Sequence, residues 1–317
     1  MTDAVEKRFS TASVRSENSR LKTKRTREVP SVRGLCALVR WRGEKLKVGG
    51  LIFMRQSLLA VSVLLILLSG CSSPSDLDTK VEAITKAADA FVALAKGSAE
   101  TGEAPRESDP AAKPLLDLVW DTSSLQNGPV QPMSELEVLN AWNLDVVRVG
   151  LVYILAGTGV TDIGALTQTP EVLARVDANT VKYAPEMGHY IDAQLRLQAA
   201  LIDTISSHMA TASQSDLDKA NFKSGLAQFR SGVAGTISGA ITTFPNEGLT
   251  DDWRRERLAA LTAIGPKATK FLIPGDLQAL HDAATEVAGQ MNDPEVKAGL
   301  TSLAAAFAPA DTNPSSQ

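Results

Sequence analysis

Ser134-Glu-Leu-Glu-Val-Leu-Asn-Ala-Trp-Asn-Leu-Asp-Val-Val-Arg-Val-Gly-Leu-Val-Tyr-Ile-Leu-Ala156 is the stretch on which the reading of the fold turns. It opens on Ser134-x-x-Glu137, the spacing at which a serine and an acid satisfy each other's backbone N–H groups at a helix start. It closes on Gly157-Thr158-Gly159. Between Leu144 and Leu155 the charged residues are Asp145 and Arg148, at i,i+3 on one face. A helix that is apolar nearly all round must be covered on several sides. The sequence therefore predicts a central helix over 134–156 with other helices packed about it.

Working outward, the apolar spacing stays helical. Upstream, Val81, Ile84, Ala88, Phe91 and Ala95 alternate in steps of three and four, a narrow seam on a helix opening near Asp78 and ending at Gly97. Residues 98–112, SAETGEAPRESDPAA, are acidic and broken by Pro and Gly, which predicts a flexible loop and a first helix standing partly apart. A short helix over 114–121 carries Leu115, Leu116, Val119 and Trp120. Downstream, Thr169-Pro170-Glu171 is a cap, a first-position proline and an acid, a strong helix start. Ala184-Pro185 opens the next helix, with Ile191, Leu195, Leu201, Ile202, Ile205 and Met209. Ser215-Asp216 is expected to cap a helix reaching Phe244 along the stripe Phe222, Leu226, Phe229, Val233, Ile237 and Ile241. Gly225, Gly232, Gly235 and Gly239 form a separate face of that helix, expected to pack on the central one. Thr250 caps a helix to Ile264 with Arg254, Arg255 and Arg257 on its outer side, Pro266 starts a short piece, and helices follow over 276–291 and 294–307.

The pattern holds no convincing strand and no internal repeat. The expected fold is all-α, an irregular multi-helix bundle. Its domain spans 114–308, after a segment 71–113 of tether, first helix and acidic loop, and before a tail at 309–317. Low aromatic content, 5% of the chain, agrees with helices rather than sheet.

Catalytic chemistry has little to stand on. Glu186-x-x-His189 matches one copy of the element used in di-iron bundles, but His208 and His281 have no Glu three residues before them, so the required second copy is missing. The bland reading is a solvated helix start, and neither a metal nor a cofactor is expected. Asp145 and Arg148 are pocket candidates, because buried charges gather at sites; a structural pair is the alternative. Tyr153 and Trp142 read as core. Gly235-Thr-Ile-Ser-Gly239 is not a nucleophile elbow, since no strand precedes it.

Nearer the start, Leu58 to Cys71 reads LLAVSVLLILLSGC, just after Arg55. The apolar run is too short for a hydrocarbon core of ~30 Å, which takes about 20 residues. A short apolar core between a basic residue and small residues is the pattern of a cleaved export signal. Leu68-Ser69-Gly70-Cys71 resembles the lipobox of bacterial lipoproteins over Met54 to about Ser75. The resemblance implies a signal peptide at 54–70, recognition of Leu68, Ser69 and Gly70 by the signal peptidase, and a lipid on Cys71 such as palmitate-bearing diacylglycerol. Two or three acyl chains anchor stably where one does not. Ser72, in place of the aspartate that retains enterobacterial relatives in the inner membrane, implies the outer membrane, facing the periplasm. An uncleaved signal anchor remains the second reading.

Residues 1–53 carry 13 Lys and Arg against five Asp and Glu and show little apolar periodicity. Met54 with Arg55 makes an ordinary signal start, and the codons of Gly49-Gly50 can hold a ribosome-binding sequence. The leader therefore reads as an over-extended gene start or a disordered basic arm. Setting aside it and Arg55 takes the chain's 32 basic and 36 acidic residues to 18 and 31, a formal charge of −13 for the body. Such a body should avoid nucleic acid and anionic lipid surfaces. The expected function is that of a lipid-anchored envelope protein, non-enzymatic, binding a membrane through Cys71 and an unknown envelope protein or cell-wall component. The alternatives are an apolar-ligand carrier and a cell-wall hydrolase with an acid in an open groove.

Overall fold

The computed structural model describes residues 76–125, 133–161, 169–246 and 248–308. The leader, the apolar run, Leu68 to Ser72 and the tail at 309–317 lie outside these residues. Among the described residues there is no strand. The helices are α1 (Asp76–Leu94), α2 (Ser98–Thr101), α3 (Lys113–Trp120), α4 (Leu136–Leu155), α5 (Pro170–Lys182), α6 (Ala184–Thr211), α7 (Gln214–Leu217), α8 (Ala220–Thr242), α9 (Asp251–Phe271), α10 (Pro274–Gln290) and α11 (Pro294–Phe307). Single 3-10 turns occupy Ser123–Leu125 and Met133–Glu135. The fold is the expected all-α, multi-helix bundle.

Helix α4 is central. Leu139, Trp142, Val146, Val149 and Tyr153 have no exposed surface, and α1, α3, α5 and α6 pack against it. Its length and hydropathy would also suit a membrane span, but the neighbouring helices cover it. Cross-helix pairs give the directions. Thr85 meets Asp145, Asp89 meets Arg148 and Phe91 meets Tyr153, so α1 and α4 run parallel. Asn179 on α5 donates to the carbonyls of Ile154 and Ala156 at 3.0 and 2.8 Å, capping the end of α4. Gly188 lies against Trp253 and Asp203 pairs with Lys267, so α6 and α9 are parallel. Gly265 faces Leu303 and Gly299 faces Leu258, so α9 and α11 are parallel too. His281 and Ala304 join α10 and α11 as an antiparallel hairpin.

Several local expectations are corrected. Helix α1 does not stand apart: Ile84, Ala88 and Phe91 are fully buried in the common core. Residues 98–112 are not a loose loop. The α2 turn is stitched to the end of α4 by Gly157 N–H to the Ser98 carbonyl and Gly159 N–H to the Ala99 carbonyl, and Gly97 and Gly102 take φ of 90° and 78° on either side. Ser134 does not cap α4, because a 3-10 turn puts Glu135 at the N-cap with no side-chain bond. Ser213, not Ser215, caps the following turn, by accepting from Asp216 N–H at 3.2 Å, and the long helix begins only at Ala220.

Helix α9 runs unbroken through Pro266. The ring removes one backbone donor, but Ile264, Ala268 and Phe271 are buried on the same side, and that packing overrides the local break. Helix α4, the partner expected for the glycine face of α8, is not among the main neighbours of α8. Helix α8 packs chiefly on α10, then on α9 and α6. Gly225, Gly232 and Gly235 are buried, whereas a Cβ on Gly239 would meet nothing within 4 Å.

Candidate functional site

Charge and burial converge on the start of α6. Pro185 supplies a first-turn φ, and Tyr183 joins α5 to α6. Glu186, His189 and Asp192 follow at i, i+3 and i+6 on one side of the helix. The solvated helix start expected there is corrected for Glu186, which is buried, and holds for His189, which is exposed. The Glu186 carboxylate is 3% exposed, Asp192 18% and His189 51%.

The chain from Gly102 to Asp109 crosses this surface as a strap. The Tyr183 hydroxyl accepts from Ala104 N–H at 2.9 Å and donates to the Gly102 carbonyl at 3.0 Å. Lys182 Nζ donates to the same carbonyl at 2.8 Å and pairs with Glu103. The Arg106 guanidinium lies over the Tyr183 ring, 4.3 Å from its centre, donates to the Lys182 carbonyl, and stands 3.6 Å from Glu186 Oε2. Glu107 N–H donates to Glu186 Oε1 at 3.0 Å, while the Glu107 carboxylate meets His189 Nδ1 at 2.8 Å. Asp109 accepts from Arg106 N–H and turns the strap back toward α3. Hydrogen bonding to Glu107 holds His189 above its ordinary pKa against the opposing effect of burial, and Asp192 and Glu256 add to the rise.

Under the strap, Tyr153 is fully buried. Its hydroxyl and Glu186 Oε2 have no hydrogen-bond partner. Burial, then the charges of Glu186 and Glu107, push the phenol far above its usual range, so it stays neutral.

Beyond His189, along the Gly188 and Asp192 flank of α6, Arg257 is 1% exposed, which corrects its expected place on the outside. Its Nη2 donates to the Gly188 carbonyl at 2.8 Å, its Nη1 stands 3.1 Å from Asp192 Oδ1, and its guanidinium packs on the Trp253 ring. Burial lowers its pKa to about 10, with Asp192 and Glu256 opposing the fall; the group remains a cation at neutral pH. Trp253 sits this close because Gly188 has no Cβ in its way.

The pocket candidates Asp145 and Arg148 form a different constellation. Asp145 is buried and accepts from Thr85 Oγ1 at 2.6 Å and Arg148 Nη1 at 2.7 Å. Arg148 is 43% exposed and reaches Asp89 at 2.6 Å. Burial disfavours its charge, but the two carboxylates outweigh that and raise its pKa. The pair ties α1 to α4. Lipidation at Cys71, peptidase recognition at Leu68 to Gly70 and sorting at Ser72 concern residues outside those described.

Sequence reasoning missed Arg106, Glu107, Tyr183 and Arg257. A signal existed for Arg106, a lone cation in an acidic Pro-broken stretch. None existed for Arg257, whose ionic and hydrogen-bonding partners lie 65 or more residues earlier. Chemically the strap and α6 make a charge-matched closure over a carboxylate and a phenol. No family model, curated protein or solved structure matches the chain.

Proposed function

We propose that this chain is a lipid-anchored protein of the bacterial cell envelope that acts without catalysis, by binding another envelope component. The observation that carries the reading is Leu68-Ser69-Gly70-Cys71 at the end of a short apolar run. The chemistry suits it: a thiol is the side chain most readily alkylated, and small residues ahead of it admit a peptidase. Four residues separate Cys71 from the start of α1 at Asp76, and at ~3.3 Å each they span only about 15 Å. The body would therefore be held close to the lipid surface. Its formal charge of −13 disfavours nucleic acid as a partner. Glu186 is buried beneath the strap rather than set in an open groove, as the acid of a cell-wall hydrolase would be, and lends that alternative no support.

Cell fractionation tests the anchor. Wild type should be found in membranes in processed form, and Cys71→Ala should be unprocessed or released. A Cys71→Ala protein that is processed and membrane-bound as before overturns the reading. On a density gradient the wild type should follow outer-membrane markers, as Ser72 implies; recovery with inner-membrane markers alone removes that part.

A further inference from the structure

The strap is held in an unusual way. Between Gly102 and Pro110, Ala104 is the only residue that is buried. Its other ties are polar: two bonds to the Tyr183 hydroxyl or through the Gly102 carbonyl, the Arg106 contacts, and two bonds from Glu107 to α6. A segment with little apolar burial opens at lower free energy than the core it covers. What it covers is polar and incompletely paired, since Glu186 Oε2 and the Tyr153 hydroxyl lack hydrogen-bond partners. Closure thus depends on side chains whose charges must match, and one of these is a histidine, the side chain whose ordinary pKa lies nearest neutrality.

We propose that residues 102–109 form a pH-keyed strap, held shut by protonated His189 on Glu107 and loosened when the imidazole loses its proton, which uncovers Glu186 and Tyr153.

The charges around His189 agree on the sign. Glu107 faces it from the strap, Asp192 from its own helix and Glu256 from α9, and all three favour the cation. The nearby cations are engaged elsewhere: Arg106 pairs with Glu186 and Arg257 with Asp192. Closing the strap raises the histidine pKa, so closure is favoured at low pH and weakens as pH rises through the raised value. A neutral imidazole still donates one hydrogen bond, so deprotonation removes the ionic part of the tie and not the contact itself. Each pKa unit gained on closure corresponds to about a tenfold ratio in the closing equilibrium. The proposal does not depend on the lipid anchor, because every residue in it belongs to the folded body.

The test is amide hydrogen exchange on the full chain in detergent, normalised for the intrinsic pH dependence of exchange, between pH 5.5 and 8.5. It follows the amides of Ala104 and Glu107, both bonded across the strap. In wild type their protection should fall several-fold to about tenfold over this range, while core amides of α4 do not change. In His189→Gln, which keeps a neutral donor, protection should be low and flat with pH, and wild type should approach it as pH rises. Wild-type protection independent of pH, or a His189→Gln slope equal to that of wild type, overturns the strap. If His189→Gln disturbs folding, Glu107→Gln gives the same comparison from the other partner.

Discussion

The ring of Tyr190 on α6 lies against the backbone of Gly150 on α4, in the space a Cβ would fill. Tyr190 is buried, with its ring also near Trp120. The two helices come this close because position 150 has no side chain. In an exposed helix, Gly→Ala would stabilise by about 1 kcal/mol through propensity. Here the methyl group must displace a buried aromatic ring. Gly150→Ala should therefore lower stability by about 1–3 kcal/mol, read as a fall in the denaturant midpoint. A midpoint unchanged or raised would mean that the ring moves aside freely.

Gly239 gives the opposite sign. It sits inside α8 with open space at its Cβ. Gly239→Ala should raise stability by up to about 1 kcal/mol. A thermal melt decides it, and a clear loss would show that α8 meets a neighbour there.

Arg257 is a buried cation with Asp192 as its counter-charge. Removing one member of such a pair leaves the other uncompensated. Arg257→Ala should cost about 3 kcal/mol, and Asp192→Asn added to it should cost much less than it does alone. Additive losses in the double-mutant cycle would show that the two do not act as a pair.

The leader is tested genetically. If translation starts at Met54, as the adjacent Arg55 and the Gly49-Gly50 codons suggest, a stop codon at Lys22 leaves the protein level unchanged. Disappearance of the protein would establish residues 1–53 as part of it.

What could be read in advance was what is local. Thr169-Pro170 and Asp293-Pro294 start helices as expected, because a cap and a first-position proline act on their own next three residues. The all-round apolar α4 gave away its central place for the same reason. Failures came where distant contacts decide. Pro266 should have ended α9, but packing of Ile264 and Phe271 carries the helix through it. Residues 98–112 have the composition of a loose loop, and their order comes from Tyr183, Glu186 and His189, some 80 residues on. Arg257 has neighbours in sequence that look like a solvated face, and only the fold brings Asp192 and the Gly188 carbonyl to it.

Helices α1 and α4 run side by side in one direction, with contacts spaced from Lys80 on Trp142 to Phe91 on Tyr153. A pull on the chain ahead of Asp76, along the α1 axis, is therefore taken up by all of these contacts together. They fail in shear, as one, rather than peeling apart in turn. A body fastened to a surface by the residues just before α1 would put its attachment and its core under the same mechanical load. It could not be drawn away by its first helix without breaking the packing that holds the bundle together.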